Sequence, residues 1–207
     1  MSKKNPITVS SWTLGDQCKF EDRVIAAKEA GYEGIGLRAE TYVDALNEGL
    51  YDEDILAILD KHGMKVTEVE YIVQWAEDNR SYEQKYKEQM CFHMCDLFGV
   101  NHINCGLMEN YSSRAYRTET ERTLPQSRKR IIGIEPMPYS GIPNLEKAWA
   151  VVKASGAENA YIILEYMALG KGRSAVRYSD KRAGRKGNLH PDQRCIRKTI
   201  RCLDFKG

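Results

Sequence analysis

Ile131-Ile132-Gly133-Ile134-Glu135-Pro136-Met137-Pro138-Tyr139-Ser140-Gly141 (IIGIEPMPYSG) is the stretch whose reading decides the fold. Its β-branched residues form a short buried strand that ends at Ile134. Pro136 and Pro138 then stop further ladder pairing, because a proline has no N–H to donate. A lone carboxylate, Glu135, stands at the strand's carboxyl end. In a chain that alternates strands and helices, that end is where catalytic side chains gather. The plain alternative is a solvated charge that opens a loop.

Outward from this strand, the same unit recurs. Strands are expected at Ile7–Trp12, Tyr32–Arg38, Met64–Val73, Val100–Cys105 and Tyr161–Leu164. Between them lie a helix over Phe20–Ala30, one capped by Asp52, a long one behind the Ser81/Gln84 capping-box pair, and one capped by Asn144. A glycine closes each helix just before the next strand, at Gly31, Gly63, Gly99 and Gly156. The first three are 32 and 36 residues apart, about one strand–helix unit each. The following gap of 57 leaves room for the Ile131 strand, which lacks its glycine. Six strands separated by helices predict an α/β fold with a parallel sheet. A doubly wound open sheet would satisfy the same pattern, but no G-x-G-x-x-G or P-loop follows any strand.

The totals agree with one globular domain. In 207 residues, 42% are hydrophobic and 29% charged, and the net charge of +2 points to no partner. Six cysteines are scattered through a chain whose start has no apolar leader and which contains no membrane-length apolar run. The expectation is a cytoplasmic, reduced protein with its thiols in the core.

Two stretches break the rhythm. Ser112–Arg130 should hold a helix, yet its only apolar residues are Ala115, Tyr116 and Leu124. Gly170–Gly207 carries twelve Lys/Arg against three Asp and no strand-like run. The division expected is a partial barrel domain over 1–169 and a basic tail over 170–207. That tail reads as disordered or as a single helix started by His190-Pro191. It could meet an anionic surface, or simply stand in for missing units or a shifted reading frame.

The strings ITVSSWTLG, AGYEGIGLRAE, HGMKVTEVEYIVQW, FGVNHINCG, IIGIEPMPYSGIPNLEKAW and SGAENAYIILE, in this order and spacing, resemble the xylose-isomerase-like TIM barrels. These include sugar and sugar-phosphate isomerases and epimerases, with metal-dependent abasic-site endonucleases as distant relatives. The resemblance implies a TIM-barrel type of fold, partial here, with about six βα units of eight. It also implies a divalent metal (Mn, Mg, Co or Zn) held by acids and a histidine at the ends of strands five to eight. Glu135 matches the first ligand, and Glu165 stands where the family has an aspartate. The family's D-x-x-H pattern meets Ala168 instead, and strands seven and eight have no recognisable counterparts. The metal shell is therefore half absent from the sequence, and the metal itself is a part the chain could have lost.

Further candidates carry their own alternatives. Glu68 and Glu70 share one strand face, and Glu70, nearer the carboxyl end, would handle protons or bind substrate hydroxyls; both could equally be edge charges. Arg38 could bind a hydroxyl or phosphate, or pair with Glu40 or Glu70. His102 could be a ligand or an acid/base group, or a satisfied core histidine. Trp12 and Trp75 could wall a sugar ring or lie in the core. Cys91 and Cys95 with His93 between them invite a zinc reading, but both cysteines lie on the helix face that must pack on the sheet, with His93 pointing elsewhere.

The function this implies is metal-dependent sugar or sugar-phosphate isomerisation or epimerisation by proton transfer through an enediolate. Glu135 and Glu70 would be catalytic, Arg38, His102 and Trp12 would bind substrate, and Glu135 and Glu165 would hold the metal. The alternative is a catalytically incompetent barrel remnant, truncated or frame-shifted, without a complete metal site. The partner expected is a small sugar or sugar phosphate, with no membrane; a homo-oligomer is compatible with the sequence. Nucleic-acid processing would need several metal-binding histidines, and the chain has four in all, His62, His93, His102 and His190.

Overall fold

A computed structural model of the chain describes residues 6–15, 18–75, 80–109 and 130–164. Residues 112–129, Glu165, Ala168 and the basic tail over 170–207 lie outside the described residues, and with them the expectations placed there.

Six parallel strands form one sheet: β1 (Thr8–Ser10), β2 (Gly34–Arg38), β3 (Val66–Ile72), β4 (His102–Cys105), β5 (Ile131–Ile134) and β6 (Ala160–Ile162). Their spatial order is their sequence order. A doubly wound sheet reverses direction at a switch point, and this one does not, so the barrel-type reading holds. Among the described residues five helices lie between the strands: α1 (Phe20–Glu29), α2 (Ala39–Asn47), α3 (Asp52–Lys61), α4 (Tyr82–Phe98) and α5 (Leu145–Ser155).

The glycine rhythm has a backbone cause. Gly31, Gly63, Gly99 and Gly156 all adopt positive φ, between 59° and 83°, where a side chain would clash. Each lets its helix stop within one turn and the chain re-enter the sheet. At the other ends, Ser81 Oγ accepts from Gln84 N at 3.2 Å, and Asn144 Oδ1 from Lys147 N at 2.9 Å.

One face of the sheet carries Val9, Ile35, Leu37, Val69, Ile103, Cys105, Ile132 and Ile134, all buried. They join a single hydrophobic cluster with helix residues such as Phe20, Val24, Tyr42, Ile55 and Met94. The helices therefore cover that face, and the other is left to face inward. Of the apolar stripe expected on α4, Cys91, Met94 and Cys95 are buried, while Tyr86 is exposed and stacks on Tyr82. His93 bonds to Asp52 and Tyr42 at 3.0 and 3.1 Å, directed away from both cysteines. On α5, Ala148 and Val151 are buried and Trp149 is exposed. Among the described residues no helix is long and apolar enough to cross a membrane.

Beyond shifts of one or two residues at the ends of other strands, two differences from expectation stand out. The first strand stops at Ser10, not Trp12, because the Ser10 side chain accepts from Trp12 N at 3.3 Å and opens a 3₁₀ turn over Ser11–Leu14. Helix α2 occupies a segment in which no helix was expected.

Candidate active site

Barrel interiors are ordinarily filled by branched apolar residues. Here the inward face is polar and notched. Ser10 on β1 donates to Glu70 Oε2 on β3 at 2.7 Å, passing over β2, where Gly36 has no side chain. A β-carbon on Gly36 would lie 2.7 Å from an oxygen of both Glu68 and Glu70. The two acids thus share one face, as strict alternation requires. Beside them on β4, Asn104 Nδ2 donates to Glu68 Oε2 at 3.1 Å.

His102 also projects inward. Its Nε2 lies 2.7 Å from where a β-carbon on Gly133 of β5 would sit, and it has no hydrogen-bond partner among the described residues. Burial holds its pKa below the ordinary 6.5, with Glu68 pulling weakly the other way. The ring is therefore neutral at neutral pH.

Glu135 follows β5 and is half-buried. The phenol of Tyr71 stands within reach of its charge and donates to Met137 Sδ at 3.9 Å; burial first, and then the Glu135 charge, push the Tyr71 pKa well up, so this phenol keeps its proton. The β3–β4 ladder slips between Glu70 and Ile72, which brings Tyr71 to the rim. The loop after Glu135 is pinned by Gly141 N to Leu107 O at 2.9 Å and by Ser140 Oγ to Met137 O at 2.9 Å. Pro136 is fully buried, and Tyr139 projects from the loop, 71% exposed.

The β1–β2 corner is built differently. Buried Arg23 of α1 donates to the carbonyls of Ser11 and Cys18, each at 3.2 Å, and to that of Gly15. This guanidinium ties three carbonyls of the loop to α1. Ser11 Oγ accepts from Arg38 N at 3.1 Å and meets Thr41 Oγ1 at 3.1 Å. The Arg38 side chain stacks over the exposed Trp12 ring, 4.2 Å from its centroid, and donates to Glu40 at 3.2 Å. Of the two carboxylates considered for Arg38, Glu40 is its partner. Trp75, by contrast, is buried in the core at 3% exposure and cannot wall a ligand.

The structure thus gathers Glu70, His102 and Glu135 around one inward face, and sets Arg38 and Trp12 together at its corner. Glu165 lies outside the described residues. Ser10, Tyr71 and Asn104 were not anticipated from the sequence. A polar residue at an inward position of a buried strand was the available signal for Ser10 and Asn104.

No family model matches the sequence, and no curated protein matches it. Solved structures do. A xylose isomerase domain protein from Salmonella typhimurium superposes with a TM-score of 0.64 at 10% identity, over 76% of this chain and 59% of that one. The IOLI protein with a bound zinc atom gives 0.61 at 14% identity, over 77% and 62%. D-psicose 3-epimerase, solved in the presence of D-fructose, gives 0.53 at 12% identity, over 75% and 62%. The fold is that of the xylose-isomerase-like TIM barrels, present here as a partial α/β barrel. The chain spans about three-fifths of the length of these structures.

Proposed function

We propose that this chain carries the proton-transfer site of a sugar or sugar-phosphate isomerase or epimerase, centred on Glu135. The observation that carries this reading is a half-buried carboxylate at the carboxyl end of β5, with a phenol that keeps its proton close enough to feel its charge. The likeness to structures that include D-psicose 3-epimerase supports it.

Isomerisation and epimerisation both remove a proton from a carbon beside a carbonyl or its tautomer. Glu135 is the base that takes it and returns it. Negative charge then develops on the neighbouring oxygens as an enediolate forms. Tyr71, still protonated, stands beside Glu135. Glu70, fixed by Ser10, accepts from substrate hydroxyls deeper in the barrel and shuttles their proton. Neutral His102 offers one more hydrogen bond, while Trp12 and Arg38 flank the sugar or its phosphate at the corner.

A divalent metal, Mn, Mg, Co or Zn, would supply charge stabilisation for the enediolate oxygens. Among the described residues no three His, Cys, Asp or Glu converge around a metal position. Glu135 by itself does not fit one, and its proposed co-ligand Glu165 is not among them. The steps above therefore run through side chains alone.

The test is ketose–aldose and epimer exchange over a panel of sugars and sugar phosphates, with and without Mn²⁺ or Co²⁺. Turnover that falls about 10²–10⁴-fold in Glu135→Gln supports the reading. Turnover unchanged by that substitution, or none across the panel, removes it.

A further inference from the structure

One peptide unit joins the strand that carries Tyr71 to the residue that follows β5. The Cys105 carbonyl accepts from Glu135 N at 2.8 Å, and Gly106 N, on the other side of the same peptide, donates to Ile72 O at 3.0 Å. The two bonds fix the ends of β3 and β5 to each other through the end of β4, just past the slip in the β3–β4 ladder. Gly106 is buried and does not adopt the left-handed backbone, so its φ does not call for glycine. Space does. A β-carbon on Gly106 would overlap the Tyr71 hydroxyl and lie 2.8 Å from Tyr71 Cζ and 3.0 Å from Met137 Cε. The phenol therefore lies over this bare peptide, and it donates to Met137 Sδ, two residues beyond Glu135, at 3.9 Å. Tyr139 donates to the same sulfur at 3.4 Å from further along the loop. A thioether sulfur is a weak acceptor, so the fit over Gly106, more than this bond, decides where the Tyr71 hydroxyl stands.

We propose that Gly106 is a positioning residue of the Glu135 site. The space left by its missing side chain seats the Tyr71 hydroxyl beside Glu135. A side chain there turns the phenol away from the carboxylate while the two backbone bonds stay in place. The effect on turnover rests on the reading of Glu135 as the base, whereas the seat itself does not, so the two fail separately.

The full chain is made with tyrosine labelled at Cζ for carbon NMR, and among its twelve tyrosines the Tyr71 resonance is the one missing from Tyr71→Phe. Glu135→Gln should shift that resonance in the parent and leave it in place in Gly106→Ala, a response that a merely structural glycine would not lose. Gly106→Ala should melt lower than the parent, and the same substitution should lower the melt less in Tyr71→Phe, where the overlapping oxygen is gone. If Gly106→Ala does not fold, recovery of folding in the double variant supports the seat, and no recovery overturns it. On a sugar that the panel identifies, Gly106→Ala should lower kcat to the level of Tyr71→Phe, and the double variant no further. Absence of turnover across the panel removes the isomerase reading and leaves the resonance to decide the seat. The proposal is overturned if the Tyr71 resonance ignores Glu135→Gln in the parent, if it still responds in Gly106→Ala, or if the two losses add in the double variant.

Discussion

Ser10 on β1 reaches Glu70 on β3 at 2.7 Å across an intervening strand. Only Gly36 makes that crossing feasible, since any β-carbon there would press on both Glu68 and Glu70 at 2.7 Å. Gly36→Ala is therefore an overpacking change in a layer that cannot relax outward, because Ile35 and Leu37 on either side are fully buried. It should cost about 1–3 kcal/mol. In a thermal melt that is a fall of roughly 2–4 °C for each kcal/mol in a chain of this size. An unchanged melt would mean that the two acids swing aside freely, and that the inward face is looser than the hydrogen bond indicates.

Tyr71 and Glu135 are the second pair, and the proposed function turns on them. Tyr71→Phe keeps the ring and removes the phenolic proton beside Glu135. On the proposed reading kcat should fall about tenfold, equivalent to about 1.4 kcal/mol of transition-state stabilisation, with KM little altered. A rise in KM alone would instead place Tyr71 in substrate binding. Steady-state kinetics on whichever sugar the panel identifies separates the two.

A pH effect is expected far from the site. Tyr42 packs its ring in the core while its hydroxyl bonds Asp52 and His93. Burial first, and then the Asp52 hydrogen bond and charge, raise its pKa above the ordinary 10.0. The folded state thus holds this proton more tightly than the unfolded chain does. The stability it contributes is complete below pH 10 and is lost as pH rises beyond it, since the unfolded chain ionises first. Melting temperature should decline above about pH 10, and Tyr42→Phe should flatten that decline while costing about 1 kcal/mol at neutral pH for the lost hydrogen bonds. A parallel decline in both proteins would assign the alkaline loss elsewhere.

Strand positions and helix ends were legible because each left a local mark: β-branched runs for the strands, and the glycines at 31, 63, 99 and 156 for the exits. Helix α2 left none. Its N-cap is Arg38, whose side chain makes no capping bond, and its buried stripe of Ala39, Thr41, Tyr42 and Ala45 is mostly small or polar. Within the site, Glu70 and Glu135 could be read because Glu70 lies near the carboxyl end of a strand and Glu135 follows one. Tyr71 could not, since alternation from Glu70 puts it on the outer face and only the slip in the β3–β4 ladder brings it to Glu135. The Ser10–Glu70 bond joins residues 60 positions apart, a relation that no local pattern carries. Glu165 lies outside the described residues, so its pairing with Glu135 is still an expectation from resemblance.

The cysteines supply the last test, and it concerns the sheet–helix core on which the site is mounted. Cys91 and Cys95 lie on the face of α4 that covers the sheet, and Cys105 ends β4 beneath them; all three are buried. Loss of solvent pushes Cys91 and Cys95 up to about 12 and Cys105 well above the ordinary 9.0. The reactive species is the thiolate, so these three are doubly protected, by access and by protonation. Half-buried Cys18, on the loop clamped by Arg23, is within reach of solvent. Of the four cysteines among the described residues, iodoacetamide at pH 8 followed by peptide mass mapping should modify Cys18 first, and Cys91, Cys95 and Cys105 only together, in step with urea unfolding. Early labelling of Cys91 or Cys95 alone would show α4 lifting from the sheet without global unfolding. The helix covering β3 and β4 would then be a separately opening unit, and the inward face of those strands would owe its geometry to something other than this core.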